Sequence, residues 1–253
     1  MKPVDSYKSA GFFCVEKIQR KQFKKGGGIE MDYEKTRRWL DGHGVILEES
    51  FYTALNNLAK DYKKTNDLRL LEEVYHKLGV NKQAVSWWKN HPCSTQTRQS
   101  KMQLITSCAE VFHLTAEETE LLANKAGLSL RSDHDFSGYF RQLLNGRRGR
   151  CKSICDAANV SERMLQYIKR HKQPSKETLL AIAISLGLGI DEIQHLLKKA
   201  GYTLSASLPN DAVVCWFLTG DRKTDGTVPV LFYINEVLDE LNLPLLMTRL
   251  KGS

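Results

Sequence analysis

Nowhere does the chain string together the roughly 20 apolar residues that a helix needs to cross a bilayer, so no membrane-spanning helix is expected. Its start, MKPVDSYKSAGFFCVEKIQRKQFKK, has one short apolar patch between charges and lacks the apolar core and small-residue cleavage site of a signal peptide. Cysteine is sparse: Cys14, Cys93, Cys108, Cys151, Cys155 and Cys215 are too dispersed for the disulfide framework of a small secreted domain. These absences predict a cytoplasmic protein with reduced thiols and no membrane partner. Catalytic signatures are missing too. There is no HExxH, no serine in a GxSxG context, and the glycine run KKGGGIE lacks the Gly-Lys-Ser/Thr ending of a phosphate-binding loop. The chain is therefore expected not to be an enzyme and to need neither cofactor nor metal.

What it has is positive charge. Lys and Arg number 37 against 29 Asp and Glu, for a net charge of +8 and a pI near 9.1. Such a balance favours a polyanionic partner without naming it. The charge is unevenly spread: Arg147, Arg148, Arg150, Lys152, Arg163, Lys169, Arg170, Lys172 and Lys176 stand against only Asp156 and Glu162. That density suits a phosphate backbone. An earlier stretch is more dilute, with Lys77, Lys82, Lys89, Arg98 and Lys101 near Glu72 and Glu73.

Strand-like alternation is almost absent. Apolar residues recur at spacings of three and four through FYTALNNLAKDY (51–62), LRLLEEVYHKL (68–78) and MQLITSCAEVF (102–112), which predicts an all-α fold. VPVLFYI (228–234) alone could be a strand, but FYINEVLDELNL continues with helical spacing and is read as a helix. Candidate caps mark the boundaries: Asn66 or Asp67 for one helix, Asn81 for the next, a Thr115/Glu118 capping box, and Ser175 before KETLLAIAISL. Gly79, Gly127, Gly187 and Gly201 sit where helices should stop. Before Met31 the three glycines of KKGGGIEM argue against a continuous helix, and Lys25 to Gly28 can be encoded by a purine-rich ribosome-binding sequence. A start at Met31 is thus an alternative to Met1.

The chain also repeats itself. LGVNKQAVSWWKN (78–90) reappears in pattern as ANVSERMLQYIKR (158–170), with Val80 on Val160, Val85 on Leu165, Trp88 on Ile168 and Lys89 on Lys169. LTAEETELLANKAGLSL (114–130) lies on LGIDEIQHLLKKAGYTL (188–204), after a six-residue excess in the first copy that covers PCSTQTRQS, expected as a loop. Each copy reads as a short helix, a tight turn, a second short helix and two closing helices. The turn needs a residue tolerant of left-handed backbone, Gly79 or Asn159, and a cap for the next helix, Asn81 or Ser161. That helix buries Val85 and Trp88, or Leu165 and Ile168. It then projects Lys82, Gln83, Ser86 and Trp87, or Glu162, Arg163, Gln166 and Tyr167.

The segment SICDAANVSERMLQYIKRHKQPSKETLLAIAISLGLGIDEI resembles the phage-repressor-like (XRE family) helix-turn-helix domain over most of its length, and LEEVYHKLGVNKQAVSWWKN resembles the same motif. PNDAVVCWFLT and YINEVLDELNLPLL look like the appended helices of helix-turn-helix regulators of Gram-positive bacteria. The resemblance covers about Phe51 to Leu246 and implies tandem lambda-repressor-like helix-turn-helix domains with a C-terminal helical subdomain. On that reading 1–45 is a basic tail and leading helix, 46–130 and 131–205 are the two domains, and 206–253 is the extension. It also implies double-stranded DNA as partner and a role as transcriptional regulator. The eight outward residues would face bases, and Lys89, Arg147, Arg148, Arg150, Lys152, Lys169, Arg170 and Lys172 would face phosphates. Gln83 suits adenine, Arg163 guanine, and Glu162 the amino group of cytosine. The chain departs from the family in carrying Leu71 and Cys151 where a phosphate-contacting glutamine is usual, and Lys89 and Lys169 where an acidic residue is frequent.

Other readings stay open at this level. One copy rather than both can touch DNA. The repeats can instead serve a protein-protein adaptor, and the C-terminal helices can hold a homodimer or protein partner. RNA is less favoured, since no aromatic-rich sheet motif appears. Trp87 adjoins the core-facing Trp88 and can pack against a neighbouring helix. Cys151 and Cys155, one turn apart, are read as core-lining thiols because no further ligands accompany them.

Overall fold

The computed structural model describes residues 33–85, 97–130, 136–145, 151–170, 173–220 and 230–246. Among these the chain is all-α, and its extended pairing is a single antiparallel bridge between Leu128 and Tyr202. No helix among the described residues is long and apolar enough to cross a membrane. Two compact units form. The first takes Tyr33–Ser132 with Gly201–Ala212, and the second the described parts of 133–200 and 213–253.

In the first unit α1 (Tyr33–Gly42) precedes α2 (Phe51–Thr65), α3 (Leu71–Lys77), a helical stretch over 82–85, α4 (Arg98–Phe112) and α5 (Ala116–Lys125). Ser50 caps α2 and Thr97 caps α4, each accepting from the backbone N–H three residues on. The core gathers Leu55, Ala59, Val74, Leu78, Val85, Leu104, Cys108 and Leu122. Tyr52 on α2 lies in it too, and its hydroxyl donates to the Val85 carbonyl at 2.5 Å. Burial pushes the Cys108 thiol up to about 12, as expected of a sulfur that fills space.

In the second unit α6 (Phe136–Asn145), α7 (Cys151–Ala158) and α8 (Glu162–Lys169) precede α9 (Lys176–Ser185) and α10 (Ile190–Lys199). Helix α9 is apolar on all sides, and Leu179, Leu180, Ala181, Ile182 and Ala183 are sealed from solvent. Such a helix must be central, and it packs against α7, α10 and α12 (Val230–Glu240). Helix α11 (Pro209–Thr219) begins in the first unit and belongs to the second from Val213. Asn235 is fully buried on α12, and its side-chain oxygen accepts the Leu246 N–H at 2.8 Å, folding the segment after the helix onto it.

Several local expectations are corrected. Asn66 closes α2 rather than opening α3: its N–H and its side-chain amide both donate to the Tyr62 carbonyl, and Asp67 supplies the left-handed residue (φ 50°) after it. Helix α3 starts at Leu71, not at 68, and at its N-terminus the Leu70 N–H donates to Glu73. Helix α4 starts at Arg98, inside the stretch expected as a loop, because Thr97 caps it. Phe136, Ser137 and Gly138 form the first turn of α6, with Phe136 and Ser137 buried. Of the stretch 228–243 read as helix, Val230–Glu240 forms α12, 241–243 lie beyond its end, and 228–229 lie outside the described residues.

Gly127 and Gly201, equivalent places in the sequence repeat, meet within the first unit. Ser129 N–H donates to Gly201 O and Thr203 N–H donates to Gly127 O, each at 3.2 Å. Exchanging the two segments maps one hydrogen bond onto the other.

Candidate nucleic-acid interface

The segments 71–85 and 151–170 turn the chain with the same hydrogen bonds. In the first unit Gly79 takes φ 70°, its N–H donates to His76 O at 3.0 Å, and Val80 N–H donates to Tyr75 O at 3.0 Å. In the second unit Asn159 takes φ 51°, its N–H donates to Asp156 O at 3.3 Å, and Val160 N–H donates to Cys155 O at 2.9 Å. Both are Schellman closures, in which a left-handed residue lets two N–H groups satisfy the last free carbonyls. The following helix then starts from a capping side chain: Asn81 Oδ1 accepts Ala84 N–H at 2.6 Å, and Ser161 Oγ accepts Met164 N–H at 3.1 Å. An offset of 80 residues relates every partner.

Apolar contacts follow the same register. Val74, Tyr75, Leu78 and Val85 are buried in one copy, and Ile154, Cys155, Ala158 and Leu165 in the other. Burying Leu165 and Ile168 contributes about 1.5–3 kcal/mol each and fixes the rotation of α8 about its axis. Its other face therefore reaches solvent with Glu162, Arg163, Gln166 and Tyr167 all exposed, at positions i, i+1, i+4 and i+5. In the first unit Lys82 and Gln83 are exposed. Ser86, Trp87 and Lys89 lie outside the described residues, as do Arg147, Arg148, Arg150 and Lys172.

The two exposed faces differ in chemistry. Lys82 Nζ donates to Glu72 Oε1 at 2.6 Å, pairing the second helix back to α3. This hydrogen bond, and the charge behind it, holds the Lys82 pKa above the ordinary lysine value. On α8, Arg163 makes no ion pair among the described residues. Its Nε donates to the Tyr167 hydroxyl at 2.8 Å, and its guanidinium lies 5.4 Å from that ring's centroid. Lys152 on α7 and Arg170 at the end of α8 are exposed, and Lys169 is half-buried. Lys176, counted with the basic cluster from sequence, is 7% exposed and is removed from that surface.

Sequence reasoning missed both partnerships. The spacing of Arg163 and Tyr167, one helical turn, could have suggested theirs, whereas Glu72 and Lys82 meet only because the turn folds α3 beside the next helix. The cysteine pair lines the core side of α7: the Cys155 thiol is pushed up to about 11, first by burial and then by the charges of Glu162, Cys151 and Asp156. A thiol held in its protonated form is a poor nucleophile and a poor metal ligand at neutral pH. Among the described residues no group of three or more His, Cys, Asp or Glu is gathered as a metal ion would require.

Set against known protein families, curated proteins and solved structures, the chain matches none.

Proposed function

We propose that the chain is a sequence-specific double-stranded DNA-binding protein, a transcriptional regulator built from tandem repressor-like helix-turn-helix modules. The observation that carries this reading is the repeated turn, with the same closure, the same cap position and the same buried register at 79–85 and 159–165. Such a turn presents the second helix with one face anchored and the other outward, which suits entry into a major groove. Net charge of +8 supplies attraction to phosphate. The outward side chains Arg163, Gln166 and Gln83 are of the types that discriminate base edges.

Two observations, both in the first unit, favour the adaptor reading: Leu70 and Leu121 are more than half exposed, and Lys82 is tied to Glu72. On that reading the repeats are structural, the helices bind a protein partner, and the positive charge serves only solubility or nonspecific contact.

Selection from a randomised duplex library, followed by sequencing, tests the proposal. The purified chain at near-physiological salt is expected to enrich a motif, and Arg163→Ala to weaken binding to that motif by about 1–3 kcal/mol. Weak binding that is steeply salt-dependent and enriches nothing would leave charge without readout and support the adaptor.

A further inference from the structure

We infer that Tyr167 is a positioning residue: through its hydroxyl it orients Arg163 toward a guanine, making the second copy the specificity-determining one. This rests on the DNA-binding reading above. Arginine recognises guanine by aiming two parallel N–H groups at O6 and N7, and the gain depends on presenting that fork in one orientation. A free arginine on a helix surface samples many rotamers, and binding must freeze them.

On α8 the freezing is already built in. The Tyr167 hydroxyl accepts from Nε, the one guanidinium N–H that an end-on fork does not use. The two Nη groups stay available, since among the described residues Arg163 forms no other hydrogen bond or ion pair. The tyrosine ring, 5.4 Å from the guanidinium carbon, limits rotation of the plane. The pair stands on a rigid base. Ser161 caps the first turn, and Leu165 and Ile168, 1% and 0% exposed, hold the helix from beneath. Tyr167 is itself 38% exposed, more than packing alone demands of a large aromatic. Among the described residues the first copy shows no such device: Lys82 is a single-point donor already hydrogen-bonded to Glu72.

The test compares the full chain with Tyr167→Phe, Arg163→Lys and Arg163→Ala in selection from a randomised duplex library, with affinities measured on the enriched site and on sites altered one base at a time. Tyr167→Phe keeps the ring and removes one exposed oxygen, so its melting temperature is expected to match the parent. At a single position it is expected to lose preference for guanine on the order of tenfold, with little change at other positions. Arg163→Lys should lose the same preference while keeping the salt dependence of binding. An unchanged guanine preference in Tyr167→Phe overturns the inference and leaves DNA binding standing. Equal weakening on all sequences also overturns it, assigning the hydroxyl to phosphate. If the parent chain enriches no motif, both this inference and the DNA-binding reading fall.

Discussion

Residues 71–85 and 151–170 share a backbone plan and differ in what they display. Both close a helix with a left-handed residue and restart the next from a side-chain cap, yet one copy couples its outward lysine to an acid of the preceding helix and the other couples its outward arginine to a neutral tyrosine. Over equal lengths of sequence, 151–170 carries Lys152, Arg163, Lys169 and Arg170 against Asp156 and Glu162, and 71–90 carries Lys77, Lys82 and Lys89 against Glu72 and Glu73, so the copies differ less in net charge than in how their outward cations are partnered. Turn geometry is set by backbone hydrogen bonds and a few apolar contacts, so it survives changes at exposed positions. Charge on the outer face is under no such constraint, and two copies of one plan can take different tasks.

The largest way to break the comparison is at the buried anchors. Leu165→Ala is expected to cost about 2–5 kcal/mol. Val85→Ala, which removes a smaller side chain, should cost about 2 kcal/mol. Denaturant unfolding of both variants measures the gap, and equal losses would mean that the two anchors do not carry different loads. Next comes the turn. A Cβ at Gly79 meets nothing within 4 Å, so Gly79→Ala isolates the conformational cost of φ 70°, about 1–2 kcal/mol. Asn159→Ala should cost less, below about 1 kcal/mol, since asparagine already bears a Cβ at φ 51°. Thermal melts distinguish the two.

A smaller effect separates the later helices. The Thr115 hydroxyl caps α5, and Glu118 answers by accepting from the Thr115 N–H and hydroxyl, which lowers the Glu118 pKa below 4.5. The equivalent place in the second unit is Gly189, where only the reciprocal half exists, Glu192 accepting the Gly189 N–H at 3.0 Å. Thr115→Ala should cost about 1 kcal/mol at pH 7. Because the folded-state pKa of Glu118 is depressed, its contribution is present above pH 4.5 and is lost as pH falls through the lower folded value. The penalty of Thr115→Ala should therefore shrink in unfolding experiments carried toward pH 3. The smallest effect on stability is expected from Glu72→Gln, since the Lys82 pair is exposed. Releasing Lys82 should instead raise affinity for duplex DNA at low salt and steepen the slope of log K against log salt by about one charge. No change in that slope would place the first copy away from DNA.

Helix content, the caps at Asn81, Thr115, Ser161 and Ser175, and the register of the repeat were all readable before any coordinates, because each depends on residues within a few positions of one another. Asn66 and Asp67 misled for the same local reason. Both residue types open helices, but both also tolerate left-handed backbone, and here the second property governs. Arg98 to Ser100 fall in the stretch where the first copy exceeds the second, expected as a loop, and capping by Thr97 makes them the first turn of α4.

By itself, then, the sequence determined an all-α chain, its repeat, and which faces of the second helices are apolar, since periodicity and capping act over one or two turns. Tertiary structure alone decided that Glu72 reaches Lys82, that Lys176 is buried, and that residues 201–212 return to the first unit to pair Gly201 with Ser129. Each of these joins residues that no helical period relates, and only the packing of whole helices brings them within reach.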